Sequence, residues 1–156
     1  MSHFAGYLTL RGLARDNLAE SRVLSAMARS PDLRVSQFGS ERFWLACQTV
    51  PTWRSDDAMV DSHGRVTVIA GDPICSATPE RSFNAQEQAL RADIARGSVQ
   101  LLAASTGTFC AAGWDPQIQS LLLATDWVAS RSLYYCIEPD RLSFATSLRL
   151  LRPLRT

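Results

Sequence analysis

An α+β fold is predicted for this chain of 156 residues, on three observations. Residues 107–151 read as four short strands in series, separated by turn formers and followed by a short helix. Two earlier stretches carry helical spacing with recognisable starts and stops. The remaining apolar runs are short and strand-like, so strands and helices mix without strict alternation. The length suits one compact domain spanning residues 1–156, large enough for a core without staples.

The first strand is expected at residues 4–10, almost at the start of the chain. Asp16 or Asn17 can cap a helix to about Arg29, with Leu18, Val23, Leu24 and Met27 on one face, and Ser30-Pro31-Asp32 ends it. Residues 33–38 and 43–50 form a hairpin around Gly39-Ser40-Glu41. Residues 51–64 are polar and read as a surface loop. Residues 66–71 give the clearest strand of the first half. A second helix follows over residues 84–96, capped at Asn84, with Ala85, Ala89, Ala92 and Ile94 available for packing and Gly97 as its stop. Residues 99–104 read as a further helical turn.

In the last third, residues 108–114 are apolar and close on Asp115-Pro116. Residues 120–125 hold Leu121-Leu122-Leu123-Ala124, a run suited to a strand buried on both faces. Residues 133–137 and 141–145 flank the turn Glu138-Pro139-Asp140. No internal repeat, low-complexity segment or linker interrupts the chain.

Hydrophobic content of 46%, charged content of 20% and a net charge of +1 describe a globular protein without bias toward nucleic acid or anionic membrane. All 16 basic residues are Arg, as a GC-rich genome would produce. Having no Lys, the chain has neither a Schiff-base lysine nor a phosphate-loop lysine. Cys47, Cys75, Cys110 and Cys136 lie tens of residues apart, with no zinc spacing. Cys47, Cys110 and Cys136 sit in apolar runs and read as small core residues. Trp44, Trp53, Trp114 and Trp127 also read as core more readily than as interface. No signal peptide or membrane-length stretch is present, so a cytoplasmic protein with reduced thiols is expected. Nothing in the sequence calls for a metal or cofactor.

The last third resembles the glutaminase domain of the asparagine synthetase family. That family's pattern is G-x-F-x-x-x-x-x-D, then A-R-D-R-x-G-x-x-P-L-Y-Y, then F-A-S-E. Gly107, Phe109, Asp115, Ala124, Asp126, Leu133, Tyr134, Tyr135, Phe144 and Ala145 match it. The resemblance implies a four-layer α-β-β-α sandwich, the N-terminal-nucleophile hydrolase fold. It also implies chemistry: a Cys after the initiator Met attacks the glutamine amide, with its own α-amine as base. Ser2 occupies that place here, and His3 follows it. An N-G-E turn supplies the oxyanion donors and a contact to the substrate amine. The matching segment is Ala70-Gly71-Asp72, so Gly71 and Asp72 are the candidate substrate-binding residues.

Several departures accumulate. Ala70 has no side-chain donor, and losing one such donor costs about a hundred- to a thousand-fold in rate. The arginine that pairs with the substrate carboxylate has no counterpart before Arg54, and only Glu87 answers the second substrate-binding acid. The H-R-G-P-D segment survives partly as residues 28–32. The D-x-x-G-x-x-P turn has become Asp126-Trp127-Val128-Ala129-Ser130-Arg131-Ser132, without its Gly and Pro. The S-G-G-x-D-S loop of an ATP-pyrophosphatase domain is absent from the sequence given.

These features favour a glutaminase-like domain that has lost glutamine hydrolysis and serves as a structural or partner-binding module, similar to the N-terminal domains of β-lactam synthetases and lasso-peptide cyclases. Its expected partner is an ATP-pyrophosphatase-type synthetase domain or subunit, with an apolar surface patch where the two meet. The alternative is an active class II amidotransferase or amidohydrolase using Ser2. A third reading is an unrelated α+β binding protein with convergent strands.

Overall fold

The computed structural model describes residues 3–10, 13–29, 32–50, 58–75 and 82–155. It is mixed α+β, with two antiparallel sheets and four short α-helices among those residues. The chain divides into two compact units: residues 1–57 with 132–156, and residues 58–131.

The first unit contains a five-stranded sheet in the order β2-β3-β1-β9-β8. Its strands are His3–Thr9 (β1), Arg34–Gly39 (β2), Phe43–Thr49 (β3), Tyr134–Ile137 (β8) and Arg141–Ala145 (β9). Strand β1 is central, pairing Tyr7 with Trp44 on one side and with Ser143 on the other. Its apolar composition fits its burial, with every residue from Phe4 to Thr9 buried. Gly6 is required by this closeness: an added Cβ would lie 2.5 Å from the Trp44 carbonyl and 2.7 Å from the Phe144 ring.

Helix α1 (Asn17–Met27) starts at Asp16, whose side chain accepts from the Ala19 amide at 3.0 Å. It buries Ala19, Val23 and Met27 against Tyr7, Trp44, Ala46 and the C-terminal helix α4 (Leu148–Leu151), which runs into a 3-10 turn at Arg152–Leu154. Leu18, expected on this face, is instead 62% exposed. The face that packs is set by positions 19, 23 and 27, the i, i+4, i+8 series, and Leu18 lies off it.

A polar network ties the α1 start to the sheet. The buried Tyr7 hydroxyl donates to Glu20 at 2.5 Å and accepts from the Asp16 amide at 2.9 Å. Arg15 grips the same carboxylate through Nε at 2.8 Å and Nη2 at 2.6 Å. Burial, reinforced by the hydrogen bond to Glu20, pushes the Tyr7 hydroxyl up to about 12. Arg141 stacks 4.7 Å from the Tyr7 ring centre and donates to Asp16 and to the Leu154 carbonyl.

The second unit contains a four-stranded sheet in the order β4-β5-β6-β7. Its strands are Met59–Val60 (β4), Val66–Cys75 (β5), Ser105–Asp115 (β6) and Ser120–Thr125 (β7). Helices α2 (Phe83–Ala95) and α3 (Gln100–Ala103) cover it, with Leu90, Ile94 and Leu102 packing on Ile69, Phe109 and Ala111. The α2 start is Ser82 rather than Asn84, and Ser82 makes no side-chain cap bond. The backbone N–H of Gln86 still bonds the Ser82 carbonyl, so the first helical turn closes without a side-chain cap.

Three expectations need correction. Strand β7 is half-buried, not buried on both faces, and among the described residues it lies at the edge of its sheet with β6 as its neighbour. Cys136 is half-buried on the other sheet's edge strand β8, while Cys47, Cys75 and Cys110 are buried. Trp44 and Trp114 are buried within strands, whereas Trp127 is 85% exposed in the turn after β7. Trp53 lies outside the described residues.

Candidate functional site

In the second unit, β5 carries Ala70-Gly71-Asp72 across from Cys110, Phe109 and Thr108 of β6. Ala70 is 1% exposed, so its methyl is sealed in the sheet and offers no donor. Gly71 holds φ +113°, a conformation reserved in practice for glycine. A Cβ there would run into the Thr108 carbonyl and lie 2.9 Å from the Phe109 Cα and 2.8 Å from Arg131 Nε. Gly107, at φ +96°, meets the Asp72 carbonyl in the same way. Two glycines on neighbouring strands, Gly71 opposite Phe109 and Gly107 opposite Pro73, thus let the β5 and β6 backbones approach where side chains would hold them apart. Asp72 is exposed at this point.

Asp126 stands at the end of β7 and organises the turn behind Gly71's partner strand. One carboxylate oxygen accepts from the Phe109 amide at 3.1 Å. The other accepts from the amides of Val128 and Ser130, each at 3.1 Å, and from the Ser130 hydroxyl at 3.0 Å. These bonds, the Ser130 amide foremost, hold its carboxyl down at about 2. With that many donors on its ionised form, Asp126 is a turn anchor and poorly suited to move protons. Ala129, where the resembling family has Gly, keeps a left-handed backbone at φ +50°.

Arg131 closes the turn with Nε buried against Gly71 and without a hydrogen-bond partner among the described residues. Beneath it, burial pushes the Cys110 thiol up to about 12, against the pull of Arg131. Cys110 is therefore a protonated core residue and no nucleophile. Glu87 of α2, the candidate second substrate acid, is engaged by Arg91 at 2.8 Å.

In the first unit, Ser2 and Arg54 lie outside the described residues. His3 starts β1 with Nδ1 3.1 Å from Thr146 Oγ1. That hydroxyl also accepts from the Phe4 amide at 3.2 Å, fixing the start of β1. Thr146 was not singled out by sequence, although it follows Phe144-Ala145 where the family motif has Ser. Among the described residues no group of three or more His, Cys, Asp or Glu could hold a metal ion. No helix among them is long and apolar enough to cross a membrane.

No curated protein matches the chain at a significant level. A family match does exist, over residues 83–153, from α2 to the C-terminal 3-10 turn. It covers Asp126 and its turn but neither Ser2 nor the Ala70-Gly71-Asp72 segment. The matching family is described as the glutamine amidotransferase domain, and residues 83–153 of the chain are similar to it.

Proposed function

We propose that this is a glutaminase-like domain of an asparagine-synthetase-type, ATP-dependent amide-forming system, inactive in glutamine hydrolysis. Its two sheets then form the inner layers of an α-β-β-α sandwich, and its role is structural or partner-binding toward an ATP-pyrophosphatase-type synthetase, in peptide or natural-product biosynthesis. The observation that carries this reading is Ala70. Its methyl is buried in β5 where the resemblance implies an oxyanion donor, while the adjacent Gly71 retains its special backbone. The scaffold of the site persists and the group that would act on the transition state does not. Supporting it, Glu87 is bound to Arg91 and Asp126 to its own turn, so neither is free to orient a substrate. Cys110, buried and protonated, offers no substitute nucleophile.

An electrophilic glutamine analogue, such as a diazo ketone, tests whether a working N-terminal nucleophile exists. Intact-protein mass spectrometry first establishes whether Met1 is removed. The reading predicts no adduct. A stoichiometric adduct on Ser2, blocked by glutamine and lost in Ser2→Ala, would instead favour an active amidotransferase or amidohydrolase.

A further inference from the structure

Sheets end in strands whose outer N–H and C=O groups lack partners, and folded chains shield such edges by shortness, charge or coverage. Among the described residues, three of the four edges are short or carry a charge. Strand β4 has two residues, β8 has four, and β2 opens on Arg34 and ends on Gly39. Strand β7 is different: Ser120–Thr125 is six residues long, carries no charge and no proline, and among the described residues pairs only with β6.

The ladder fixes which of its groups face outward. The Asp126 amide donates to the Phe109 carbonyl at 3.0 Å, which marks 109/126 as a hydrogen-bonded position. Alternation along the β6–β7 register then assigns residues 124, 122 and 120 to bonds with β6. Leu121, Leu123 and Thr125 turn their N–H and C=O groups away from the sheet. Beside this edge lies an apolar groove of about 260 Å³, lined by Val99, Leu102, Leu122, Ala124 and the exposed Trp127.

We infer that the outer edge of β7 is a homodimer interface, occupied by β7 of a second copy in antiparallel pairing. Identical strands pair this way about a two-fold axis, and this sequence is complementary to itself in one register. With Leu123 opposite Leu123 of the second copy, Leu121 faces Thr125, and all three outward positions become hydrogen-bonded. On the helix-covered face, where Leu122 and Ala124 pack, each Leu122 falls opposite an Ala124, large against small. No like charges meet, because the strand has none. Val99 and Trp127 beside the groove would be covered in the same event. The inference is independent of whether glutamine is hydrolysed.

Sedimentation equilibrium of the full chain, combined with disulfide trapping, tests this. The wild type is expected to be dimeric at about 100 µM. Thr125→Lys places a charge on an already exposed edge position and should weaken the dimer about tenfold or more while the monomer keeps its fold by circular dichroism. Leu123→Cys in a Cys136→Ser background should form a covalent dimer under mild oxidation, because hydrogen-bonded antiparallel pairs stand ~5.5 Å apart at Cα, within disulfide reach. A wild type that stays monomeric overturns the inference and leaves the edge to a strand of another protein. A dimer that ignores Thr125→Lys, or that gives no cross-link through position 123, places the interface elsewhere and overturns it equally.

Discussion

Ala129 sits at φ +50° with a Cβ that the left-handed region disfavours. It is held there because Asp126 bonds the amides on both sides of it, at Val128 and Ser130. Relief of about 1–2 kcal/mol of strain in Ala129→Gly outweighs the ~0.4–1 kcal/mol lost to a freer unfolded chain. Urea denaturation should therefore show a gain of roughly 0.5–1 kcal/mol. Gly71→Ala runs the other way. Its φ of +113° and the collision with the Thr108 carbonyl predict a loss of about 2–4 kcal/mol. Asp126 adds a pH dependence of definite sign. Its carboxyl is lower in the folded state than in the unfolded chain, so its contribution is fully present above pH 4. It is lost as pH falls toward about 2. The stability difference between wild type and Asp126→Asn should shrink steadily over that acid window; a difference constant with pH would contradict the assignment of Asp126 as an ionised turn anchor.

At the scale of elements, the polar network under α1 predicts where the first unit opens. Arg141 joins the α1 start through Asp16 and the C-terminal turn through the Leu154 carbonyl. Arg141→Met keeps the aliphatic packing over Tyr7 but leaves those acceptors unmatched. Asp16 is partly solvated, which moderates the cost to about 2 kcal/mol. Hydrogen exchange should accelerate in Asn17–Met27 and in residues 148–154, more than in β5 and β6. The strands and helices were legible in the sequence because their signals are local: the apolar run of Phe43–Thr49 beside its turn, the Asp16 cap, the turn formers beside β6 and β9. Burial was less so. Leu121-Leu122-Leu123 has the composition of a strand covered on both faces, and only the pairing order shows it at an edge. Leu18 was misplaced for a similar reason, since an apolar residue one step off the packed stripe looks like part of it. Tyr7, Glu20 and Arg15 could not be joined from sequence, because the strand and the helix start meet only in three dimensions.

For the whole molecule, the matched stretch from residue 83 to residue 153 carries the amidotransferase likeness. The catalytic assignment rests on residues outside that stretch. Gly71 was singled out by its place in the motif, and its positive φ shows that the backbone there requires glycine. Asp72 is exposed beside it, which is compatible with contact to a ligand without requiring one. Ser2 was singled out only by position and lies outside the described residues. The roles of Asp126 and Cys110 came from hydrogen bonds and burial, which no spacing encodes. The central claim is that the loss of the donor at Ala70, together with a serine in place of a thiol, leaves glutamine hydrolysis without transition-state support. The most direct measurement is glutamine-dependent ammonia release by the purified chain after confirmed removal of Met1, with Ser2→Ala alongside. We predict that wild type and Ser2→Ala give the same background rate. Ammonia release by the wild type that disappears in Ser2→Ala would contradict the account and establish Ser2 as the nucleophile of a working glutaminase.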